Sequence, residues 1–211
     1  MDMTVKKSSE TQTQYLPQQF DRTDTVYESA PIREFEFVGR ISRQMRQLVE
    51  MMPTGKAVIA GASLADLYNG IPTKDIDVFF FDPAAQAEMV GFMKKNGYQP
   101  AEFFTPGCQN FKGPGEHDVP VQLVGFRTYD DAAHVLDGFD FTVCQLATDG
   151  TRLWRGPTTF QDVREQLLNF HRIESEGKVV VERVARYLDK GYRLTSQSFK
   201  LFAEKVAGIE V

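Results

Sequence analysis

Apolar and polar positions follow one another along this chain in two rhythms, a helical one and a strand-like one. Phe37, Val38, Ile41, Met45, Leu48, Val49 and Met52 recur at helical spacing, with Arg40, Arg43, Arg46 and Glu50 on the opposite side. This predicts an amphipathic helix over Glu36–Met52, stopped by Pro53-Thr54-Gly55. The unbroken apolar run Ala57–Ala60 then reads as a buried strand. After Gly61-Ala62-Ser63, the positions Leu64, Leu67 and Tyr68 give a short helix ending at Asn69, with Gly70 as its C-cap. A second strand runs from Asp75 to Phe81. Asp82 is a good N-cap and Pro83 a good first residue for the next helix, whose buried face is Met89, Val90, Phe92 and Met93 and which ends at Gly97.

Residues 99–126 read as β structure, with short strands at Glu102–Phe104 and Asn110–Lys112 and a turn over Gly113–Asp118. Val119–Val124 alternates as a strand should. A helix is predicted over Tyr129–Leu136 and a strand over Gly138–Gln145. Asp149-Gly150 is a hairpin turn with Leu153–Arg155 as its return strand. From Thr158 onward the pattern is helical: Val163, Leu167, Leu168 and Phe170, then a helix over Gly177–Leu188, then one over Ser196–Val206. The chain therefore divides into a polar arm (1–25), an α/β region (26–157) and a C-terminal helical segment (158–211).

With 42% hydrophobic residues in 211, the chain can bury one core. Its apolar runs are too short to span a bilayer, and no apolar stretch follows the charged start, so no leader is expected. Two cysteines, Cys108 and Cys144, make no disulfide framework, which points to a reducing, cytoplasmic setting. The net charge of −5 argues against a strongly basic polynucleotide binder without excluding a local basic patch. His117, His134 and His171 stand singly, so no zinc site is indicated, and no Gly-Lys-Ser/Thr phosphate loop occurs.

What remains is the chemistry of Gly61–Asp77. Asp75 and Asp77, two apart on a strand, point to the same side. Their charges repel unless a hard cation such as Mg²⁺ sits between them. Small residues between a strand and a helix let backbone N–H groups approach an anion. A phosphate cradle beside a metal clamp suits phosphoryl or nucleotidyl transfer.

Gly61-Ala62-Ser63, Asp66, Gly70 and Asp75-x-Asp77 resemble the signature of the polymerase-beta-type nucleotidyltransferase superfamily, nearest to the branch of CCA-adding enzymes and bacterial poly(A) polymerases. Two positions depart from that branch, Ala62 for its second glycine and Ala65 for its arginine. A weaker likeness of Val121–Thr142 extends to phage and viral relatives. The resemblance implies an α/β (α+β) fold with a mixed β-sheet flanked by helices. It implies transfer of a nucleoside monophosphate from an NTP to an acceptor hydroxyl, with two Mg²⁺ ions. The acceptor is an RNA or tRNA 3′ end, or else a protein or small molecule. Asp75 and Asp77 are the expected metal ligands and catalytic groups. Gly61, Ala62, Ser63, Asp66 and Lys74, with Arg183 and Arg186 of the Arg-rich helix, are the expected nucleotide contacts. Where the superfamily places its third carboxylate stands Gln122; Asp140, at a later strand start, is the candidate replacement. The alternative is a degenerate domain that binds nucleotide or a partner without turnover.

Overall fold

The computed structural model describes residues 21–34, 41–101, 107–127 and 129–208. Ten strands and seven α-helices occur among them. In chain order they are β1 (Glu28–Pro31), α1 (Arg43–Met51), β2 (Ala57–Ala60), α2 (Ala62–Asn69), β3 (Ile76–Phe80) and α3 (Pro83–Lys95). Then come β4 (Gln99–Pro100), β5 (Cys108–Lys112), β6 (Val121–Val124), α4 (Ala132–Asp137), β7 (Leu146–Thr148) and β8 (Arg152–Arg155). The chain continues with α5 (Thr159–Glu165), β9 (Leu167–Leu168), α6 (Gly177–Asp189), β10 (Arg193–Leu194) and α7 (Ser196–Val206).

Eight strands form one mixed sheet in the order β1-β8-β7-β2-β3-β6-β5-β4. Only the β3–β6 pair is parallel in it, and the helix α3 lies in the connection between those two strands, as a parallel crossover requires. Alternation along each strand sends side chains to opposite faces. Ile59, Val78 and Leu123 face one layer, where Met45, Leu48, Leu64, Met89, Met93, Val163 and Val180 complete the core. Val58, Ala60, Phe79, Val124 and Ala147 face the other, covered by Tyr129 and by Val135 and Leu136 of α4. The sheet is thus flanked by helices on both sides, and α6 and α7 follow it.

Local signals fix most element ends. Asp82 accepts a hydrogen bond from the Ala84 N–H at 2.8 Å with Pro83 behind it. Gly70 closes α2 at φ +68°, and Asp149 and Gly150 turn β7 into β8, with Asp149 accepting from the Thr151 and Arg152 N–H groups. Elsewhere the structure corrects the expectation. The first helix starts only at Arg43, because the Ser42 hydroxyl accepts from the Met45 N–H; the residues expected to precede it, 36–40, lie outside the described residues. The strand expected at Glu102–Phe104 does too. Gly138–Gln145 is no strand: Thr142–Cys144 makes one 3₁₀ turn, and Phe141 alone bridges to Phe170. The helix expected through Phe170 stops at Glu165. Gln166 turns to φ +52°, and Leu167–Leu168 pairs in parallel with Arg193–Leu194. Residues 21–25 of the expected arm are tied down as well. Thr23 donates its N–H to Asp137 at 2.6 Å, and Asp137 also accepts from the Tyr27 hydroxyl at 2.8 Å and lies 2.9 Å from His171. Burial raises the Asp137 carboxyl, but the bonds from Thr23, Tyr27 and His171 outweigh it and bring it down to about 2.

Candidate active site

β2 carries four buried small or branched residues straight into Gly61, the N-cap of α2. Gly61 has φ +96°, a conformation that side-chain-bearing residues avoid, and its N–H donates to the Leu146 carbonyl at 3.0 Å. A Cβ placed there would stand 3.3 Å from the Phe139 ring and 3.9 Å from Asp77 Oδ2. The turn is therefore a bare stretch of backbone against which the Asp77 carboxylate lies. One residue into the helix, Ser63 is buried, and its hydroxyl has no hydrogen-bond partner among the described residues. A buried hydroxyl without a partner is costly, and a bound phosphate oxygen would satisfy it.

Asp77 sits on β3 beside Ala60 of β2 on one side and Gln122 of β6 on the other. Asp75, just before the strand, shares its face. Burial and then the like charge of Asp75 push the Asp77 carboxyl up to about 7. Asp75 is raised by burial, while Lys190, Arg186 and Lys74 pull it down in that order. Two carboxylates forced together, with a glycine turn and an unsatisfied hydroxyl alongside, are a donor set that fits a Mg²⁺-bound triphosphate.

The other expected site residues are placed differently. Asp66, buried on α2, is gripped by Lys190 Nζ at 2.8 and 2.7 Å, so its oxygens are already engaged by the protein. Arg183 bonds Asp140 and, at 2.9 Å, the Ser175 hydroxyl. Arg186 is exposed, with its charge felt at Asp75. Asp140 does not complete the acid pair. Its carboxylate is taken by Arg183 and Ser175, and among the described residues no group of three His, Cys, Asp or Glu is close enough to hold an ion. The physical reason is the missing strand: without β structure at Gly138–Gln145, Asp140 is drawn toward the segment after α5, where its carbonyl accepts from His171 and Arg172. Gln122 instead occupies the place next to the pair, its Nε2 donating to Asp75 Oδ2 at 3.4 Å. Lys190 and Phe139 complete the surroundings. Lys190 was visible as a member of the Arg183, Arg186, Lys190 face at i, i+3 and i+7; its pairing with Asp66 spans too much sequence for spacing to reveal.

The sequence profile described as "Gad2: Gabija anti-defense 2 family protein" matches residues 33–166. The chain belongs to this family. A family relative, "Gabija anti-defense 2" of Bacillus phage SPbetaL7, is 28% identical over 156 residues, covering 72% of this chain and 38% of the relative. Among solved structures, the Thermotoga maritima CCA-adding enzyme complexed with tRNA matches 85% of this chain and 46% of its own at a TM-score of 0.63 and 15% identity. A CCA-adding enzyme with CTP matches at 0.62 and 16% identity, covering 85% and 45%, and a tRNA-processing enzyme in its apo form at 0.57 and 19%, covering 84% and 49%. At such identities the likeness establishes the nucleotidyltransferase fold. The Gad2 chain spans under half the length of each of these proteins. None of its described helices is long and apolar enough to cross a membrane.

Proposed function

We propose that this Gad2 chain binds an NTP and transfers its nucleoside monophosphate to an acceptor hydroxyl, and that the family's anti-defense role runs through this transfer. The observation that carries the reading is the Asp75–Asp77 pair set against the Gly61 turn and the partnerless Ser63 hydroxyl. Mg²⁺, when bound by Asp75 and Asp77, would offset charge on the triphosphate and polarise the α-phosphorus. Ser63 and the backbone after Gly61 hold the terminal phosphates at the start of α2. Arg186 and Lys74 flank the acid pair and steady the phosphates from outside, while Lys190, held by Asp66, adds positive charge to the same wall. The acceptor oxygen forms its bond to the α-phosphorus as the bond to the β-phosphate oxygen breaks. Pyrophosphate leaves, and the acceptor proton passes to solvent.

The solved CCA-adding enzyme carries tRNA, which supports an RNA 3′ end as acceptor; a protein or small-molecule hydroxyl is the other arm of the test. Purified protein is incubated with Mg²⁺, each labelled NTP, and either total RNA or lysate protein. Label should enter one fraction with release of pyrophosphate, and Asp75→Ala/Asp77→Ala should reduce release to the uncatalysed level. Unchanged release in that variant would overturn the reading. A second reading, nucleotide binding without turnover, is favoured by Gln122 and by the diversion of Asp140. It predicts NTP binding with no label transferred to any fraction.

A further inference from the structure

We propose that Gln122 makes this a one-cation site. The inference rests on the nucleotide-transfer reading above and specifies its metal requirement. Asp77 and Gln122 are register partners on the parallel strands β3 and β6, so their side chains leave the same face side by side. Gln122 extends to Asp75, with its amide N–H₂ directed at Asp75 Oδ2. A carboxylate here would give the pair a third anion and let two divalent ions share the cluster. The amide does the opposite twice over. It is neutral, and its donor end is turned to Asp75, so it offers a cation partial positive charge there instead of an anionic oxygen.

Among the described residues, no nearby group makes up the loss. Asp140 is bound by Arg183 and Ser175, and Asp66 by Lys190. Among the described residues the acid pair gains no third ligand of His, Cys, Asp or Glu. Two carboxylates and the phosphates of an NTP suffice for one hard divalent ion; a second would share those same oxygens at close range with no added charge to hold it. By bonding Asp75, Gln122 also fixes the carboxylate orientation for that single ion, which makes it a positioning residue rather than a ligand.

The test counts ions directly. The full chain is titrated with Mn²⁺ in the presence of a saturating α,β-methylene NTP, and bound Mn²⁺ per bound nucleotide is read by electron paramagnetic resonance. The wild-type ratio is expected to be one. Gln122→Glu, of nearly the same shape, and Gln122→Asp should each raise it to two and produce the broadened spectrum of a spin-coupled ion pair. Thermal unfolding confirms that both variants fold. A ratio of two in the wild type overturns the proposal while leaving the transfer reading intact. A ratio that stays at one in both folded variants also overturns it. A wild type that takes up the analogue without binding any Mn²⁺, like Asp77→Asn, overturns the proposal together with the reading it rests on.

Discussion

At the scale of single residues, the candidate site trades stability for chemistry. Asp77 has its carboxyl raised to about 7 by burial and by Asp75, against about 3.9 in an unfolded chain. The sign follows from that order. Where the folded value is the higher, the group supports folding fully below about pH 4, and that support is lost as pH rises through 7. Asp77→Asn should therefore melt above the wild type at pH 8 in EDTA, with the gap closing towards pH 4, while losing transfer activity. Thermal unfolding across that pH range checks it; a variant that melts lower at pH 8 would show that the repulsion is relieved within the protein. Gly61 is the second such residue. Gly61→Ala must hold φ +96° and bring a methyl 3.3 Å from Phe139, a strain of about 1–3 kcal/mol. Urea denaturation should show that loss, with weaker NTP binding, because the displaced turn is the proposed phosphate cradle. Both residues were singled out from sequence as candidates, since a carboxylate pair at i, i+2 and a glycine between strand and helix need no tertiary information. Ser63 was expected as a cradle residue, but its lack of a partner among the described residues is a property of the packed core.

Among the elements, α6 and its C-cap bring positive charge to acidic groups of the α/β region. Arg183 reaches Asp140, Lys190 reaches Asp66, and the charge of Arg186 is felt at Asp75. The Asp66–Lys190 pair is more buried than Asp140–Arg183, with side chains 3% and 19% exposed. Lys190→Met leaves the Asp66 carboxylate buried and alone, a loss expected at about 3–5 kcal/mol. Lys190→Met with Asp66→Leu removes both charges and should recover most of that stability. Comparing the two in urea separates the worth of the pair from the cost of orphaning one partner; equal losses in both would mean that packing of the lysine stem dominates. The basic stripe of this helix was plain in the sequence, as were α2, α3, β2 and β3, whose patterns are strong and capped. The region after Asp137 was not. Gly138–Gln145 has the alternation of a strand, yet Thr142 is held by Asp162 at 2.7 Å and by Asn169, and these contacts wind it into a 3₁₀ turn. A polar residue's distant partners override a local pattern, and with that strand lost the expected third ligand was lost too.

At the scale of the whole molecule, the larger core includes residues from both sides of residue 158, where the composition changes. Phe141 packs against Phe170 and edge-on to Tyr187, with ring centroids 4.7 and 5.3 Å apart, and Tyr187 meets Tyr192 at 5.3 Å. The larger core cluster runs without a break from Ile32 through Val143 and Leu153 to Val163, Val180 and Tyr192. Val163 and Leu168 are fully buried in it, and Asn69 of α2 donates to the Val163 carbonyl at 3.1 Å. The helices after 158 thus share a core with the sheet and carry the cations of the candidate site. A shared core couples the unfolding of its parts. We therefore expect one transition in urea, superimposable when followed by Trp154 fluorescence on the sheet and by far-ultraviolet circular dichroism, which the helices dominate. A chain ending at Gly156 would lose Val163, Leu168, Val180 and Val184 from the core and should fail to fold, since removal of even one such side chain costs about 2–5 kcal/mol. Two separated transitions, or a folded product ending at Gly156 that still binds NTP, would show that α6 is removable and that the acid pair and the glycine turn form a site without it.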